Sequence, residues 1–277
     1  MTADTRAMVH GMWSAVAANW SDRADFLDER GAAGTKAVLD AAAICTTDRV
    51  LALADGPGGL ALAVAHVAQS AVSSDVVPAL GDAARARAAQ RGLTNVTAEV
   101  IDIEAIAAPD ASFDVVVSRE GLMFAVDPSR AFTEIMRVLR RGGRLAAAVW
   151  GPPAGNPWLS IVLDAVAEVV GHPVPPPGIP GPFALADATR LRALAEASGL
   201  VDVTVDEVQI PFHAPSFEQW WEHTTALAGP LAMIVSRFDD HTLSGLLETL
   251  RARLAPYATS DGYELPGLAL VVAARKR

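Results

Sequence analysis

The chain has 277 residues, 51% of them hydrophobic and 19% charged, with a formal net charge of −10. That is ample apolar material for a large core, and it excludes a disordered chain. The acidic balance, with no long Lys/Arg run, argues against a nucleic-acid partner held by its phosphates, and the lone cysteine, Cys45, excludes an intramolecular disulfide and a cysteine-rich zinc site.

Residues 1–10 lack the basic-then-apolar pattern of a leader. No apolar run reaches the roughly 20 residues of a membrane span. The expectation is a soluble, cytoplasmic chain. Residues 7–44 read as helices, with a break marked by Gly31 and Gly34. Residues 50–54 form a short apolar run suited to a buried strand. It enters Asp55-Gly56-Pro57-Gly58-Gly59, and a long apolar helix follows from Leu60. A second strand spans 72–75. Pro78 can start the next helix, with Arg85, Arg87 and Gln90 on its wet face and an end near Gly92. Strands follow at 96–101 and 113–118, then a helix over 128–139 stopped by Gly142-Gly143, then a fifth strand at 144–150.

This β-α-β-α alternation predicts a Rossmann-like, doubly wound α/β sheet. Residues 151–183 are rich in Pro and Gly, with a helix at 159–170. A helix over 187–198 is closed by Gly199. Residues 201–210 alternate apolar and polar, which predicts an antiparallel sixth strand. Residues 216–254 read as helical, and 268–274 as the final strand. The result is a single domain over 1–277 with a mostly parallel, seven-stranded sheet. Its core covers about 35–150, 184–214 and 257–277; helical lid segments cover about 1–30, 151–183 and 215–256.

The glycine turn is the first motif with chemistry in it. Gly56 and Gly58 sit where a strand passes into a helix. Glycine there permits close backbone approach, and the helix start offers free N–H groups to a ligand. Asp75, followed by Val76, closes the second strand roughly 20 residues on, where an acid can take both ribose hydroxyls of an adenosine. Gly-x-Gly alone is as well explained by a tight turn. Strand, helix and acid together favour nucleotide-type binding.

The run Val50-Leu51-Ala52-Leu53-Ala54-Asp55-Gly56-Pro57-Gly58 resembles the first motif of class I S-adenosylmethionine-dependent methyltransferases. Asp75 resembles their ribose-binding acid, and Asp102-Ile103 the pair that meets the adenine. Residues 112–116 resemble the start of the fourth strand, and 118–123, beginning at Ser118, the segment after it. Arg137-Val138-Leu139-Arg140-Arg141-Gly142-Gly143 resembles the turn before the fifth strand. The resemblance is to the ubiquinone/menaquinone-methyltransferase-like branch. It implies S-adenosyl-L-methionine as cofactor, with Ala54, Asp55, Gly56, Gly58, Asp75, Val76, Asp102, Ile103 and Ser118 around it. One departure matters: the family usually carries an acid where Ala52 stands, to help hold the methionine ammonium group. Asp55 is a candidate to replace it, and an acid restored at 52 is expected to tighten the cofactor.

The lid segments are apolar and aromatic. Trp20, Trp220 and Trp221 are the candidate walls of a hydrophobic substrate pocket. His223, close behind the tryptophan pair, is the candidate general base. Taken singly, each of these is more simply read as packing. No His/Asp/Glu spacing suggests a metal site. The functions left open are methyl transfer to O, N or C of a hydrophobic small molecule, a methyltransferase-fold protein that binds a ligand or promotes a cyclisation or rearrangement, and a nicotinamide-dependent oxidoreductase. The last lacks both a full G-x-G-x-x-G and a catalytic Tyr/Lys pair. Self-association as a homodimer is compatible with the sequence.

Overall fold

The computed structural model describes residues 2–277; Met1, at the start of the expected N-terminal lid, lies outside them. Three helices come first: α1 (Thr2–Asp22), α2 (Ala24–Arg30) and α3 (Ala32–Ala42). The alternating unit then runs β1 (Arg49–Leu53), α4 (Gly59–Ala65), β2 (Ser70–Asp75), α5 (Pro78–Gln90) and β3 (Val96–Val100). It continues through β4 (Phe113–Arg119), α6 (Pro128–Val138), β5 (Leu139–Trp150), α7 (Pro157–Val170), α8 (Ala188–Ala197) and β6 (Val201–Gln209). Then come β7 (Phe212–Ala214), α9 (Phe217–Leu227), α10 (Gly229–Val235) and α11 (Asp240–Leu254). The chain ends with β8 (Ala258–Thr259), β9 (Gly262–Leu265) and β10 (Leu268–Arg275).

The main sheet has seven strands in the order β3-β2-β1-β4-β5-β10-β6. The five strands β1–β5 pair in parallel, while β10 is antiparallel to both β5 and β6. The expected α/β architecture is present, but the sixth strand is not the reversed one: β10 runs antiparallel to both of its neighbours, so β6 points the same way as β1–β5 and the final strand alone is reversed. Along β1 the residues alternate between two apolar cores, as the period of two requires. Leu51 and Leu53 face Phe132 and Ile135 of α6; Val50 and Ala52 face Val38 of α3 and Ala61 of α4. Helices on both faces explain why these strands read as continuous apolar runs.

Several boundaries differ from the sequence reading. The helix after the glycine turn is short, because the Asn95 side chain donates to the carbonyls of Ala65 and Ala68 and closes it there. The next strand consequently starts at Ser70. Gly34 lies inside α3, and only Gly31 marks a break. Arg87 does not face water: it is 9% exposed and donates to the Pro57 carbonyl at 2.9 Å and to Asp28 at 2.5 Å. Gly142-Gly143 does not stop α6 but lies within β5, where the register with β4 shifts by a bulge. The 216–254 segment is three helices. A small sheet, β7-β9-β8, is additional; strands this short carry no readable period.

Buried Asn156 ties three elements together. Its amide donates to the carbonyls of Gly151, Pro152 and Leu268, and its oxygen accepts from Leu268 N and Trp158 Nε1. The end of β5, the start of α7 and the start of β10 thus share one side chain. Asn156→Ala is expected to cost about 2–4 kcal/mol of stability, because several buried backbone groups lose their partner at once. Chemical denaturation of the variant measures it.

Candidate functional site

A first cavity opens at the carboxyl ends of the parallel strands, where open α/β sheets place ligands. The β1-to-α4 turn forms one wall. Ala54, Gly56 and Gly58 take φ of 48°, 56° and 90°. Gly58 is fixed as glycine by that φ and by its neighbour: a Cβ there would lie 2.7 Å from the Ala84 Cβ on α5. Asp55 turns into the start of the helix. Its carboxylate accepts from Leu60 N at 2.9 Å, Ala61 N at 3.1 Å and Ser73 Oγ at 2.8 Å. Burial pushes its pKa up to about 7, opposed by those three bonds and, more weakly, by the Arg119 charge.

Asp75 closes β2 beside this wall. Its oxygens accept from Gly56 N at 3.1 Å and Val77 N at 3.0 Å. Burial raises its pKa against these bonds. Each carboxylate oxygen has a second lone pair available to a ligand. Val76, Asp102 and Ile103 line the same cavity. Asp102 accepts from Glu104 N at 2.8 Å, and its other oxygen lies 3.3 Å from Arg6 Nε of α1. Arg6 also pairs with Glu104, which is 2% exposed. Ser118 does not line this cavity: fully buried, it donates to the Leu53 carbonyl at 2.9 Å.

A second, largely aromatic cavity adjoins the first. Trp13, Trp20, Glu120 and Phe124 line both. Trp13 meets Trp20 edge-on at 5.5 Å and Phe124 at 4.7 Å between ring centroids, so the three rings form a partition. The far walls carry Phe26, Trp150, Trp158, Phe212, His223 and Leu231. Arg30 sits 4.9 Å over the Trp158 ring and 5.4 Å over Trp150. Its Nη2 donates to Glu120 Oε2 at 2.9 Å. Burial lowers the pKa of Arg30, and the Glu120 charge opposes that.

A third, small polar cavity reaches under the glycine turn. Asp28, Arg30, Asp55, Gly59, Arg119 and Glu120 line it. Asp28 Oδ1 occupies the space that a Cβ on Gly59 would need. Glu120 thus belongs to all three cavities. It sits directly after β4 with φ of 61°, which turns its side chain out of the sheet.

The structure therefore brings Trp20, Ala54, Gly56, Asp75, Val76, Asp102 and Ile103 together around one space. Trp220 and Trp221 line neither large cavity. Trp220 is fully buried and donates to the Trp158 carbonyl at 3.0 Å, and Trp221 packs against the core as a half-buried ring. Helix α9 still forms a wall, through His223, Thr224 and Leu227. His223 stacks on Phe26 with ring centroids 3.8 Å apart, and burial lowers its pKa. Glu120, Arg30, Asp28 and Arg6 escape the sequence reading. Glu120 lies inside the 118–123 segment that the motifs single out; the other three lie in a segment whose only visible signal is helical. Among the described residues no group of three or more His, Cys, Asp or Glu could hold a metal ion, and no helix is long and apolar enough to cross a membrane.

Residues 51–147 match a family described as Methyltransferase domain. The uncharacterised protein Rv1405c of Mycobacterium tuberculosis is 38% identical over 113 residues, 41% of each chain. A demethylmenaquinone methyltransferase of Thermus thermophilus is 38% identical over 107 residues, 38% of this chain and 48% of that one. The chain thus aligns with less than half the length of these relatives. The crystal structure of the YcgJ protein from Bacillus subtilis superposes with a TM-score of 0.62 at 18% identity, covering 88% of this chain and 97% of that one, which establishes the fold. The matched stretch runs from β1 through most of β5 and so includes the glycine turn, Asp75, Asp102 and Glu120.

Two substitutions check the turn. Ala52 is fully buried in an apolar cluster and lines none of the three cavities. A carboxylate there has no partner, so Ala52→Asp should lower the melting temperature, not tighten a ligand. Asp55 gives a pH signature. Between about pH 4 and pH 7 the unfolded chain has lost this proton while the folded one keeps it, so stability falls as pH rises through that window. In Asp55→Asn that part of the pH dependence should vanish, read as the difference between the two stability–pH curves.

Proposed function

We propose that this chain, whose core carries the class I methyltransferase motifs and fold, transfers a methyl group from S-adenosylmethionine to a hydrophobic small molecule. The observation that carries the reading is the junction of cavities at Glu120 and Trp20: a motif-lined cleft with acids at the strand ends, an aromatic chamber, and a polar recess, all sharing these two residues.

The residues present fit the cofactor part by part. Asp75 would take the ribose hydroxyls, and Asp102 with Ile103 the adenine end. The recess suits a zwitterionic tail, since Arg119 can face its carboxylate and Asp28 its ammonium group. In this reading Asp28, carried by α2, provides the acid that strand position 52 lacks. Asp55 acts indirectly, by holding the start of α4 in place. When bound, the cofactor supplies an activated methyl group. The protein's own work is then to orient the acceptor, exclude water and accept a proton. The aromatic chamber excludes water; Trp20 and Phe124 keep the acceptor next to the cleft.

Heating the purified protein with S-adenosylmethionine, S-adenosylhomocysteine or NADH tests the reading, because a ligand of the native state raises the melting temperature. The first two should stabilise and NADH should not. No stabilisation by either adenosyl compound would favour the reading of a methyltransferase fold that no longer methylates. Asp75→Ala should weaken both adenosyl ligands by about 1–3 kcal/mol in calorimetry while the variant stays folded. Unchanged affinity would remove Asp75 from the ribose site.

A further inference from the structure

Among the described residues, five buried side-chain nitrogen or oxygen atoms have no hydrogen-bond partner. One, Arg6 Nε, lies 3.3 Å from an Asp102 oxygen. The other four are Arg30 Nε, Glu120 Oε1, His223 Nδ1 and Thr224 Oγ1, and all four residues line the aromatic cavity. An unmet buried polar group is costly, and folded proteins rarely tolerate several in one place. Their concentration in an otherwise aromatic chamber points to a ligand that completes them.

The Arg30–Glu120 pair sets the chemistry of that ligand. An arginine and a carboxylate commonly join by two parallel bonds. Here a single bond, Nη2 to Oε2 at 2.9 Å, joins them, which leaves one donor and one acceptor unused. A carboxylate ligand would satisfy Arg30 but repel Glu120. An ammonium group would satisfy Glu120 but be repelled by Arg30. A hydroxyl donates to Glu120 Oε1 and accepts from Arg30 Nε together. The last bond of a glutamate side chain is soft, so turning the carboxylate brings Oε1 onto the cavity at little cost.

We infer that the methyl acceptor is the hydroxyl of an apolar, ring-bearing molecule, held between Glu120 and Arg30 where the three cavities meet. The inference rests on the methyl-transfer reading above. Glu120 borders the motif-lined cleft, whereas His223 borders the aromatic cavity alone. The proton therefore goes to Glu120, and His223 with Thr224 reads a further polar group on the same molecule. In the transfer the hydroxyl oxygen bonds to the methyl carbon. The carbon–sulfur bond breaks with its electron pair left on sulfur, giving a neutral thioether. The hydroxyl proton passes to the Glu120 carboxylate, so the charge lost at sulfur and the charge lost at Glu120 cancel.

Four probes of one shape test this: 2-naphthol, naphthalene, 2-naphthoate and 2-(aminomethyl)naphthalene, titrated against tryptophan fluorescence and checked by calorimetry. 2-Naphthol should bind at least about tenfold more tightly than the other three, the value of one or two well-placed hydrogen bonds. The double variant Arg30→Met/Glu120→Leu removes both charges at similar volume, an exchange that buried pairs tolerate. It should bind 2-naphthol no better than naphthalene. Equal or tighter binding of the anion or the cation overturns the inference, as does a hydroxyl preference that survives in the variant. Should the variant not fold, the wild-type series decides alone. S-Adenosylmethionine titrated into the wild-type protein separates the two readings. Cofactor binding without hydroxyl preference overturns this inference only; hydroxyl preference without cofactor binding overturns the methyl-transfer reading.

Discussion

Charged pairs between the N-terminal helices and the sheet hold the site in its shape. Acids that close parallel strands are costly to cover unless cations or backbone N–H groups come to meet them. Here the covering helices bring Arg6 to Asp102 and Glu104, and Arg30 to Glu120. The exchange also runs the other way: Arg87 of α5 reaches out to Asp28 of α2. These contacts fix where the cover sits on the sheet, and so decide that Trp13 and Trp20 fall over the cleft and Phe26 over the aromatic chamber. The aromatic chamber follows from the placement of these charges as much as from apolar burial.

The division of labour follows the chain. The stretch that matches the methyltransferase family, residues 51–147, contributes Ala54, Asp75, Asp102 and Glu120. Most of the aromatic chamber lies outside it: Trp20 and Phe26 on the first two helices, Trp150 and Trp158 where β5 meets α7, and His223 on α9. The site is thus built partly from the matched core and partly from segments outside it. That is why core similarity speaks to the fold, while what binds there has to be argued from this chain's own cavities.

The core was legible because its signals are local. A glycine turn after a buried strand and an acid at the end of the next strand each act within a few residues of backbone, and Gly56, Asp75 and Asp102 line one cavity. Ala52 was legible as an anomaly but not as to its consequence, since only packing reveals that it faces α3 and α4. The partners of Asp55 are hidden for the same reason: Ser73 and the first amides of α4 meet it only once the turn is packed. Composition correctly flagged tryptophans in the covers but could not tell wall from anchor. Trp220 is buried and bonds to the Trp158 carbonyl, whereas Trp20 stands in the cleft. Glu120 and Arg30 are separated by 90 residues, and no periodicity couples positions so far apart.

The partition of Trp13, Trp20 and Phe124 has a thermodynamic consequence. Both chambers press on the same three rings, which touch edge to face. A guest that shifts these rings from one side alters the room on the other, so the two binding free energies are not independent. Whatever factor one guest applies to the affinity of its neighbour, the neighbour must return. The septum thus makes the two chambers a linked pair, with ring tilt as the variable through which each senses the occupancy of the other.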